Sequence, residues 1–293
     1  MNSEFAIEAF GLEKNYGVTR AVRGVTFCVA PGQVTAFVGQ NGAGKSSTLR
    51  MLLGFAPPTK GTARVLGEPV GSLRARSRIA YVAENKPLYR YMTVAQIIRF
   101  TKSFYSDWDE DAERRLLEEY ELPLERRVSS LSKGMRTKVA LLLALARRAD
   151  LVILDEPSEG LDPGGIEHLL GSLAARAADG AAVFFSSHQI AEVERIADHV
   201  LMMHQGQLAL DATMDSIRSD YRLIQAVFEK MPAEGLVSAP GVERVTTTGR
   251  TMQVLASSNT DEIVARLRQL ESLSVEVAPA DLREVFLGKA GKR

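Results

Sequence analysis

The chain has 293 residues, in which 36 lysine and arginine residues balance 36 aspartate and glutamate residues. This length suffices for two domains with a substantial apolar core. The balanced charge argues against a large basic surface for nucleic acid, although a local patch remains compatible with it. The single cysteine, Cys28, rules out an intrachain disulfide bond, fits a reducing compartment and is interpreted as a small core residue.

The sequence contains no obvious targeting or membrane-spanning segment. Its start, MNSEFAIEAF, lacks the basic region and apolar run of a secretion signal. The most apolar helical stretch, residues 139–146, is far shorter than the roughly 20 residues that a membrane-spanning helix needs. We therefore expect a soluble cytoplasmic protein that reaches a membrane only through a partner.

Short β-branched runs alternate with helical patterns from the N-terminus to about residue 219. Apolar runs are typical of buried parallel strands, so the pattern predicts an α/β fold with a mostly parallel sheet. A two-residue turn at Gln205-Gly206 predicts a hairpin with a further strand at 207–210. The predicted strands of the sheet are 34–38, 79–82, 151–154, 182–185 and 200–203.

Residues 93–148 interrupt this alternation with helical patterns only, which predicts an inserted helical subdomain. The tetrapeptide Thr93-Val94-Ala95-Gln96 is a capping box for its first helix. Farther along, Asp162-Pro163 supplies an N-cap and a proline at the first helical position.

The character changes again at residue 220, and residues 220–293 are predicted to form a small α+β domain. Strands are expected at 221–229, 251–256 and 274–277, with a loop at 232–240. A helix over residues 261–270 is expected to be capped by Thr260.

The strongest motif is Gly39-Gln40-Asn41-Gly42-Ala43-Gly44-Lys45-Ser46, which matches the phosphate-loop pattern in full and lies between a strand and a helix. Its backbone N–H groups and the helix N-terminus can cradle phosphates. Lys45 is expected to reach the β- and γ-phosphates, and the Ser46 hydroxyl to bind Mg²⁺. The predicted nucleotide-binding residues here are Asn41, Gly42, Ala43, Gly44, Lys45, Ser46 and Ser47.

The second motif is an acidic pair, Asp155-Glu156, at the end of the apolar strand 151–154. Such a pair alone is often ordinary strand-end solvation. Downstream of a complete phosphate loop, Asp155 is predicted to hold Mg²⁺ and Glu156 to orient and deprotonate the attacking water.

In this order the motifs resemble those of one family, the ATP-binding subunits of ATP-binding-cassette (ABC) transporters, over residues 5–219. The resemblance implies a P-loop NTPase cassette with N-terminal antiparallel strands. In it, Leu131-Ser132-Lys133-Gly134-Met135 occupies the signature position, and Gly160-Leu161-Asp162-Pro163 follows as the dimer-contact loop. Ser132 and Gly134 would then bind ATP held on the opposite subunit, while Ser132 also fits an ordinary N-cap.

Two more residues match the family's pattern. His188 stands at the switch-histidine position, which implies a hydrogen bond to the γ-phosphate, although it could instead cap the next helix. Tyr16 stands where the family stacks an aromatic ring on adenine, although it could be a half-buried aromatic at a strand end.

The sequence departs from the commonest family pattern in three places. Lys133 replaces the first signature glycine, which is expected to place a cation near the γ-phosphate, and Thr137 stands where glutamine is frequent. Glu84 stands where glutamine usually follows the strand 79–82, and it reads either as a nucleotide-site residue or as a simple loop acid. In the helical insertion, Phe100 and Phe104 fit either its core or a partner surface, and Trp108 is expected at the surface.

The resemblance implies an ATPase that uses ATP and Mg²⁺ and forms an ATP-sandwich dimer with an identical or paralogous subunit. It further implies separately encoded transmembrane subunits, a peripheral location on the cytoplasmic face of the membrane, and membership of the exporter branch. No nucleic-acid partner is expected. The alternative is a non-transport cassette ATPase that acts on a soluble or nucleic-acid machine.

Overall fold

The computed structural model describes residues 4–233 and 237–290. The chain divides into two compact units, Met1–Leu208 and Ala209–Arg293. The boundary therefore lies within a strand, Gln207–Thr213, rather than after residue 219, where the change in composition placed it.

The first unit contains two sheets. The antiparallel sheet has the order β2-β1-β4-β5, and the larger, six-stranded sheet has the order β10-β9-β3-β8-β7-β6. The strands are β1 (Ile7–Tyr16), β2 (Thr19–Val29), β3 (Val34–Gly39), β4 (Lys60–Val65), β5 (Glu68–Pro69), β6 (Ile79–Val82), β7 (Leu151–Asp155), β8 (Ala182–Ser187), β9 (His199–His204) and β10 (Gln207–Thr213), the last of which leads into the second unit.

Parallel pairing joins β9, β3, β8, β7 and β6 in that order. Every residue of β3, β7 and β8 is buried, as the apolar runs predicted. Because these strands run in one direction, the residues that follow β3, β6, β7 and β8 meet at the same edge of the sheet. The α/β fold class, the parallel sheet and the N-terminal antiparallel strands are confirmed.

A shared apolar core joins the two sheets of the first unit. At its centre the rings of Phe27, Phe37 and Phe184 pack with centroid separations of 5.2 to 5.9 Å. This packing holds β3 and β8 rigidly, and the two strands carry the phosphate loop and the polar residues at the sheet edge.

The helices of the first unit agree with the predicted signals. Thr93 forms the predicted capping box with Gln96, and the Asp162 side chain accepts a hydrogen bond from the Gly165 N–H. The helices are α1 (Lys45–Leu52), α2 (Leu73–Ser77), α3 (Val94–Lys102), α4 (Glu110–Glu119), a 3₁₀ turn (Val128–Ser130), α5 (Lys133–Leu145), α6 (Pro163–Ala178) and α7 (Ile190–Ile196).

Arg147 anchors the helical insertion to the sheet. Its guanidinium is buried and donates to the carbonyls of Ile79 and Ser77, each at 2.6 Å. It also pairs with Asp107 at 3.1 Å and lies 3.6 Å from the centre of the Tyr105 ring. One side chain therefore satisfies backbone groups at the start of β6 while holding the insertion.

The N-terminus of α5 packs closely against the loop that follows β7. The Ser132 side chain caps α5 by accepting from the Met135 N–H at 3.1 Å. A Cβ atom at Gly134 would lie 2.3 Å from the carbonyl oxygen of Gly160, so only glycine fits there. The signature segment and this loop form one packed unit within the chain.

The second unit contains an antiparallel sheet with the order β12-β13-β11-β14 and its own apolar core. The predicted cap of α9 is wrong, because the helix begins at Thr260 itself after Asn259, which is left-handed and makes no side-chain cap. The prediction also missed α8, β12 and α10. Residues 234–236 of the expected loop lie outside the described residues. The elements are α8 (Met214–Asp220), β11 (Arg222–Phe228), β12 (Val242–Thr248), β13 (Thr251–Ala256), α9 (Thr260–Gln269), β14 (Ser272–Pro279) and α10 (Leu282–Ala290).

Two helical glycines provide a matched test of the contact at α5. Gly134→Ala should lower the stability of the protein by about 1–3 kcal/mol, because the new methyl group would overlap the Gly160 carbonyl. Gly171→Ala, in an exposed part of α6 with open space around it, should raise stability by roughly 0.5–1 kcal/mol. Thermal unfolding measures both, and equal shifts for the two variants would contradict the close approach.

Candidate functional site

The phosphate loop lies at the edge of the sheet, between β3 and α1. Ala43 N–H donates to the Gln40 carbonyl at 3.1 Å, which curls the loop over the start of α1. Gly44 is left-handed, with φ of 108°, and a Cβ there would lie 2.5 Å from the Ala21 carbonyl. The loop can therefore point backbone N–H groups and the positive end of α1 at an anion.

Lys45, the first residue of α1, extends back toward the loop and is only 6% exposed. Its ammonium donates to the Gly39 carbonyl at 2.6 Å and lies 3.4 Å from both the Gln40 carbonyl and Glu156 Oε1. The two motifs found in the sequence therefore meet at one point, with the lysine of the first against the acid of the second.

Asp155 and Ser46 also come together across this edge. Ser46 Oγ lies 3.4 Å from Asp155 Oδ1, and Ser186 Oγ donates to the same carboxylate oxygen at 2.6 Å. A hydroxyl and a carboxylate so placed are the hard oxygen donors that Mg²⁺ prefers. Ser186 was missed in the sequence, although it follows the predicted strand 182–185 and pairs in register with Asp155.

Three polar groups of Glu156 make contacts with other elements of the chain. Its N–H donates to Ser186 Oγ at 3.0 Å, its carbonyl accepts from Lys86 Nζ at 3.1 Å, and its Oε2 lies 2.8 Å from His188 Nδ1. Its φ of 48° is left-handed, which costs a residue with a side chain roughly 1–2 kcal/mol. Strain of this kind persists only where the surroundings impose it.

The second carboxylate oxygen of Glu156, Oε1, is buried and accepts no hydrogen bond from the described residues. At 3.4 Å, Lys45 faces it as an ion pair rather than a hydrogen-bond donor. Buried carboxylate oxygens are rarely left without a donor, so this atom is placed to accept one from a molecule in the site.

His188 does not cap the helix that follows it, which was the alternative interpretation. The N-cap of α7 is Gln189, and its side chain makes no capping bond. Half of the His188 side chain is exposed, and Nδ1 contacts Glu156. Because an ionised carboxylate only accepts, Nδ1 carries the proton in this contact when Glu156 is ionised.

Lys133 forms an ion pair within its own chain. Its ammonium forms a short ion pair with the Glu159 carboxylate of the same chain, instead of extending freely as a cation. This hydrogen bond lowers the pKa of Glu159. Thr137, the other departure in α5, donates to the Glu159 carbonyl at 3.1 Å. Both unusual residues therefore secure the loop three residues after Glu156.

Lys86 is a site residue that the sequence did not indicate, because a lone lysine in a loop belongs to no periodic pattern. It is 8% exposed, and burial lowers its pKa. Glu84, which the sequence did single out, is exposed beyond the end of β6. No hydrogen bond or ion pair among the described residues joins Glu84 to Lys45, Asp155 or Glu156.

Tyr16 and Ser132 are both exposed, and no hydrogen bond or ion pair within the described residues joins either one to Lys45, Asp155 or Glu156. Tyr16 is the last residue of β1 and is 46% exposed, with Lys14 Nζ 5.2 Å from its ring centre. Ser132 is exposed at the start of α5. An exposed ring and an exposed helix N-terminus are both available to a ligand.

A groove beside β6, between the sheet and the helical insertion, encloses a cavity of about 960 Å³. Its lining combines sheet residues with Leu88 and Ala144. An exposed cluster of aromatic rings in mutual contact adjoins it: Tyr89, Tyr91, Phe100 and Phe104, which are 50%, 68%, 37% and 66% exposed.

Trp108 does not belong to this aromatic surface. It is partly buried, and its Nε1–H donates to Glu113 at 2.6 Å. The expectation that Trp108 is the surface aromatic is wrong, because a nearby carboxylate satisfies its polar edge. Phe100 and Phe104, for which core and surface positions were both open, lie at the surface.

Comparisons with known proteins agree with this geometry. A family model described as ABC transporter matches residues 22–159. The chain is similar to the Nod factor export ATP-binding protein I of Paraburkholderia xenovorans (strain LB400), with 33% identity over 99% of this chain and 98% of that protein.

Two solved structures share the fold of the first unit. One is the ATP-binding subunit of an ABC transporter, with 34% identity and a TM-score of 0.66 over 73% of this chain and 92% of that chain. The other is a dimeric ATP-binding cassette in a post-hydrolysis state with ADP and Pi. It is 19% identical, with a TM-score of 0.64 over 71% of this chain and 98% of that chain.

Proposed function

Because this chain belongs to the family of ABC transporter ATP-binding subunits, we propose that it powers export through a separately encoded membrane protein. The chain is an ATPase of the ABC type. The finer proposal is that two such chains bind MgATP between them and hydrolyse it at the edge of the parallel sheet. The dimer would close on binding and open after hydrolysis, and it would transmit this motion to the membrane protein. The family relationship supports ATP use, and the site supports the roles of individual residues.

The observation that carries the assignment of roles is the environment of Glu156 Oε1. This buried carboxylate oxygen accepts no hydrogen bond from the described residues and lies 3.4 Å from the phosphate-loop lysine. A γ-phosphate bound by Lys45 would therefore lie beside Glu156. A water between them could donate its proton to Oε1 while its oxygen attacks phosphorus.

Hydrolysis can then proceed with every proton and electron pair accounted for. The water oxygen forms a bond to the γ-phosphorus, and one water proton passes to Glu156. The bond between the γ-phosphorus and the β–γ bridging oxygen breaks, and ADP leaves with the electron pair of that bond. His188 Nδ1–H holds the other carboxylate oxygen of Glu156, Oε2, at 2.8 Å. For Nε2 to donate to a phosphate at the same time, the ring must carry both protons.

Ser46 and Asp155 fit a magnesium site because their oxygens are 3.4 Å apart. Bound there, Mg²⁺ would neutralise charge that develops on the phosphates. Ser186 donates to Asp155 Oδ1 and so fixes the direction of the carboxylate. Among the described residues no cluster of three or more His, Cys, Asp or Glu side chains could hold a metal ion, so phosphate oxygens and water would complete the coordination.

A second subunit, identical or paralogous, is proposed to complete the nucleotide site. Ser132 is exposed at the N-terminus of the 13-residue helix α5, where N–H groups and the helix dipole favour an anion. Within its own chain it contacts neither Lys45 nor Glu156. The dimeric state of a structure with the same fold supports an arrangement in which Ser132 and Gly134 cover ATP on the opposite chain.

A membrane partner is proposed to dock on the groove beside β6. No helix among the described residues has the length and apolar character needed to cross a bilayer. The aromatic cluster of Tyr89, Tyr91, Phe100 and Phe104 is the kind of exposed apolar patch that marks a protein interface. Export is proposed because the Nod factor protein, similar over nearly its whole length, is named for export.

Glu156→Gln should bind ATP but hydrolyse it roughly 10²–10⁴-fold more slowly, because the amide keeps the shape of the side chain and removes the base. ATP binding without turnover should also trap a closed dimer, which light scattering with MgATP would detect. Glu118→Gln, on the exposed face of α4, is the control and should hydrolyse ATP normally. Normal turnover in Glu156→Gln would refute the assignment of the base.

Ser132→Arg tests action across the dimer. The isolated variant should bind ATP normally, because Ser132 is not part of that chain's own phosphate loop, but it should lose ATP-driven dimerisation and hydrolysis. Nucleotide titration and ATPase assays would measure the two effects. Loss of ATP binding by the monomeric variant would contradict the proposal.

Mixing Ser132→Arg with Lys45→Ala sharpens this test, since Lys45→Ala should itself lose nucleotide binding or hydrolysis. In the mixed dimer one site carries both lesions, and the other combines an intact phosphate loop with an intact signature segment. Some ATPase activity should then return. A mixture that stays inactive would require both sites to be competent together.

A further inference from the structure

The main chain of Glu156 is held from two sides by residues of different elements. Ser186, in β8, accepts the hydrogen bond of its N–H at 3.0 Å. Lys86, in the loop after β6, donates to its carbonyl at 3.1 Å. Neither contact involves the Glu156 side chain, so both fix the direction of the main chain where it continues beyond β7.

The Lys86 ammonium makes this contact under conditions that disfavour a lysine. It is 8% exposed, and none of the ion pairs within residues 4–233 and 237–290 includes it. The charges of Glu159, Glu84 and Asp155 favour the ammonium form of Lys86, while the charge of Lys133 opposes it. A buried ammonium that donates to a carbonyl forms a charge-assisted hydrogen bond, which is stronger than one between neutral groups.

Both partners of this hydrogen bond have unusual backbones. Glu156 has φ of 48° and Lys86 has φ of 42°, and each is left-handed although neither is glycine. Left-handed residues with side chains are uncommon and persist where tertiary contacts hold them. The Lys86–Glu156 hydrogen bond links the two strained residues directly, across 70 positions of sequence.

We propose that Lys86 is a positioning residue for ATP hydrolysis, which holds the carbonyl of Glu156 so that its carboxylate faces the γ-phosphate. The inference rests on the proposed role of Glu156 as the base. In this role Lys86 touches neither the nucleotide nor the attacking water. It therefore differs from Lys45, whose ammonium lies at the phosphate loop itself.

Lys86→Met removes the donor and keeps the length of the side chain. Its kcat should fall about 10- to 100-fold, because a small displacement of a catalytic group costs this much. The Kd for a fluorescent ATP analogue should stay within about twofold, because positioning acts on the transition state. Lys86→Arg, which keeps a donor, should recover part of the rate. Lys102→Met, which removes a partly exposed lysine of α3 that pairs with Glu110, is the control and should behave as the unmodified protein.

The proposal would be overturned by an unchanged kcat, or by a rise in Kd large enough to account for the whole loss of ATPase rate. The latter result would make Lys86 a phosphate ligand. If Lys86→Met fails to fold, Lys86→Gln, with a shorter and neutral side chain, undergoes the same measurements with the same expectation.

A double-mutant cycle separates this proposal from the one on which it rests. If Lys86 acts only through Glu156, then adding Lys86→Met to Glu156→Gln should cost little further rate. If the fold-reductions in kcat of the two single variants instead multiply in the double variant, the positioning role is refuted. Full activity of Glu156→Gln alone would instead refute the assignment of the base, whatever Lys86 does.

A structural readout needs neither nucleotide nor turnover. In a crystal structure of Lys86→Met, Glu156 should leave the left-handed region or lose its 2.8 Å contact with His188. A Glu156 with unchanged backbone and contacts would overturn the proposal. It would show that Ser186, together with the Glu159 N–H that donates to the Glu156 carbonyl at 3.4 Å, suffices to hold it.

Discussion

The conformation of Glu156 is the constraint on which the rest of the site depends. The residue lies where a fully buried strand ends, and a strand would send its side chain to the face opposite that of Asp155. The left-handed turn at Glu156 brings both acids to the same edge. Without that turn, the carboxylate could not lie against both Lys45 and His188.

This turn is unfavourable by itself, so the fold supplies compensating contacts from two separate segments, the end of β8 and the loop after β6. Each neutral hydrogen bond contributes about 0.5–1.5 kcal/mol, and a charged donor contributes more. Ser186 and Lys86 hold the main chain, and His188 holds the side chain. The parallel register of β7 and β8, which pairs Asp155 with Ser186, places the first of these donors.

The loop after Glu156 connects this site to the signature segment within the same chain. Lys133 and Thr137 both bind Glu159, and Gly134 packs on the carbonyl of Gly160. In the proposed dimer, α5 would therefore contact the nucleotide of the opposite chain through Ser132 and Gly134. The same helix packs on the loop that follows Glu156, the base for the nucleotide of its own chain. A displacement at either place would be transmitted through packed backbone, which deforms little.

The sequence by itself determined the parts of the protein that depend on local chemistry. The phosphate loop, the buried strands, the acidic pair and the caps at Thr93 and Asp162 could be predicted, because each needs particular residue types at neighbouring positions. The resemblance to a family supplied the signature segment and His188 in the same way, from short motifs in a fixed order.

Only the tertiary structure decided which distant side chains meet. Nothing local distinguishes Lys86 from a solvated lysine, and its contact with Glu156 depends on how β6 lies beside β7. Lys133 pairs with Glu159, 26 residues away in sequence, and Trp108 donates its N–H to Glu113. Strand order, register and the reach of long side chains set these contacts, and none of them is a property of neighbouring residues in the chain.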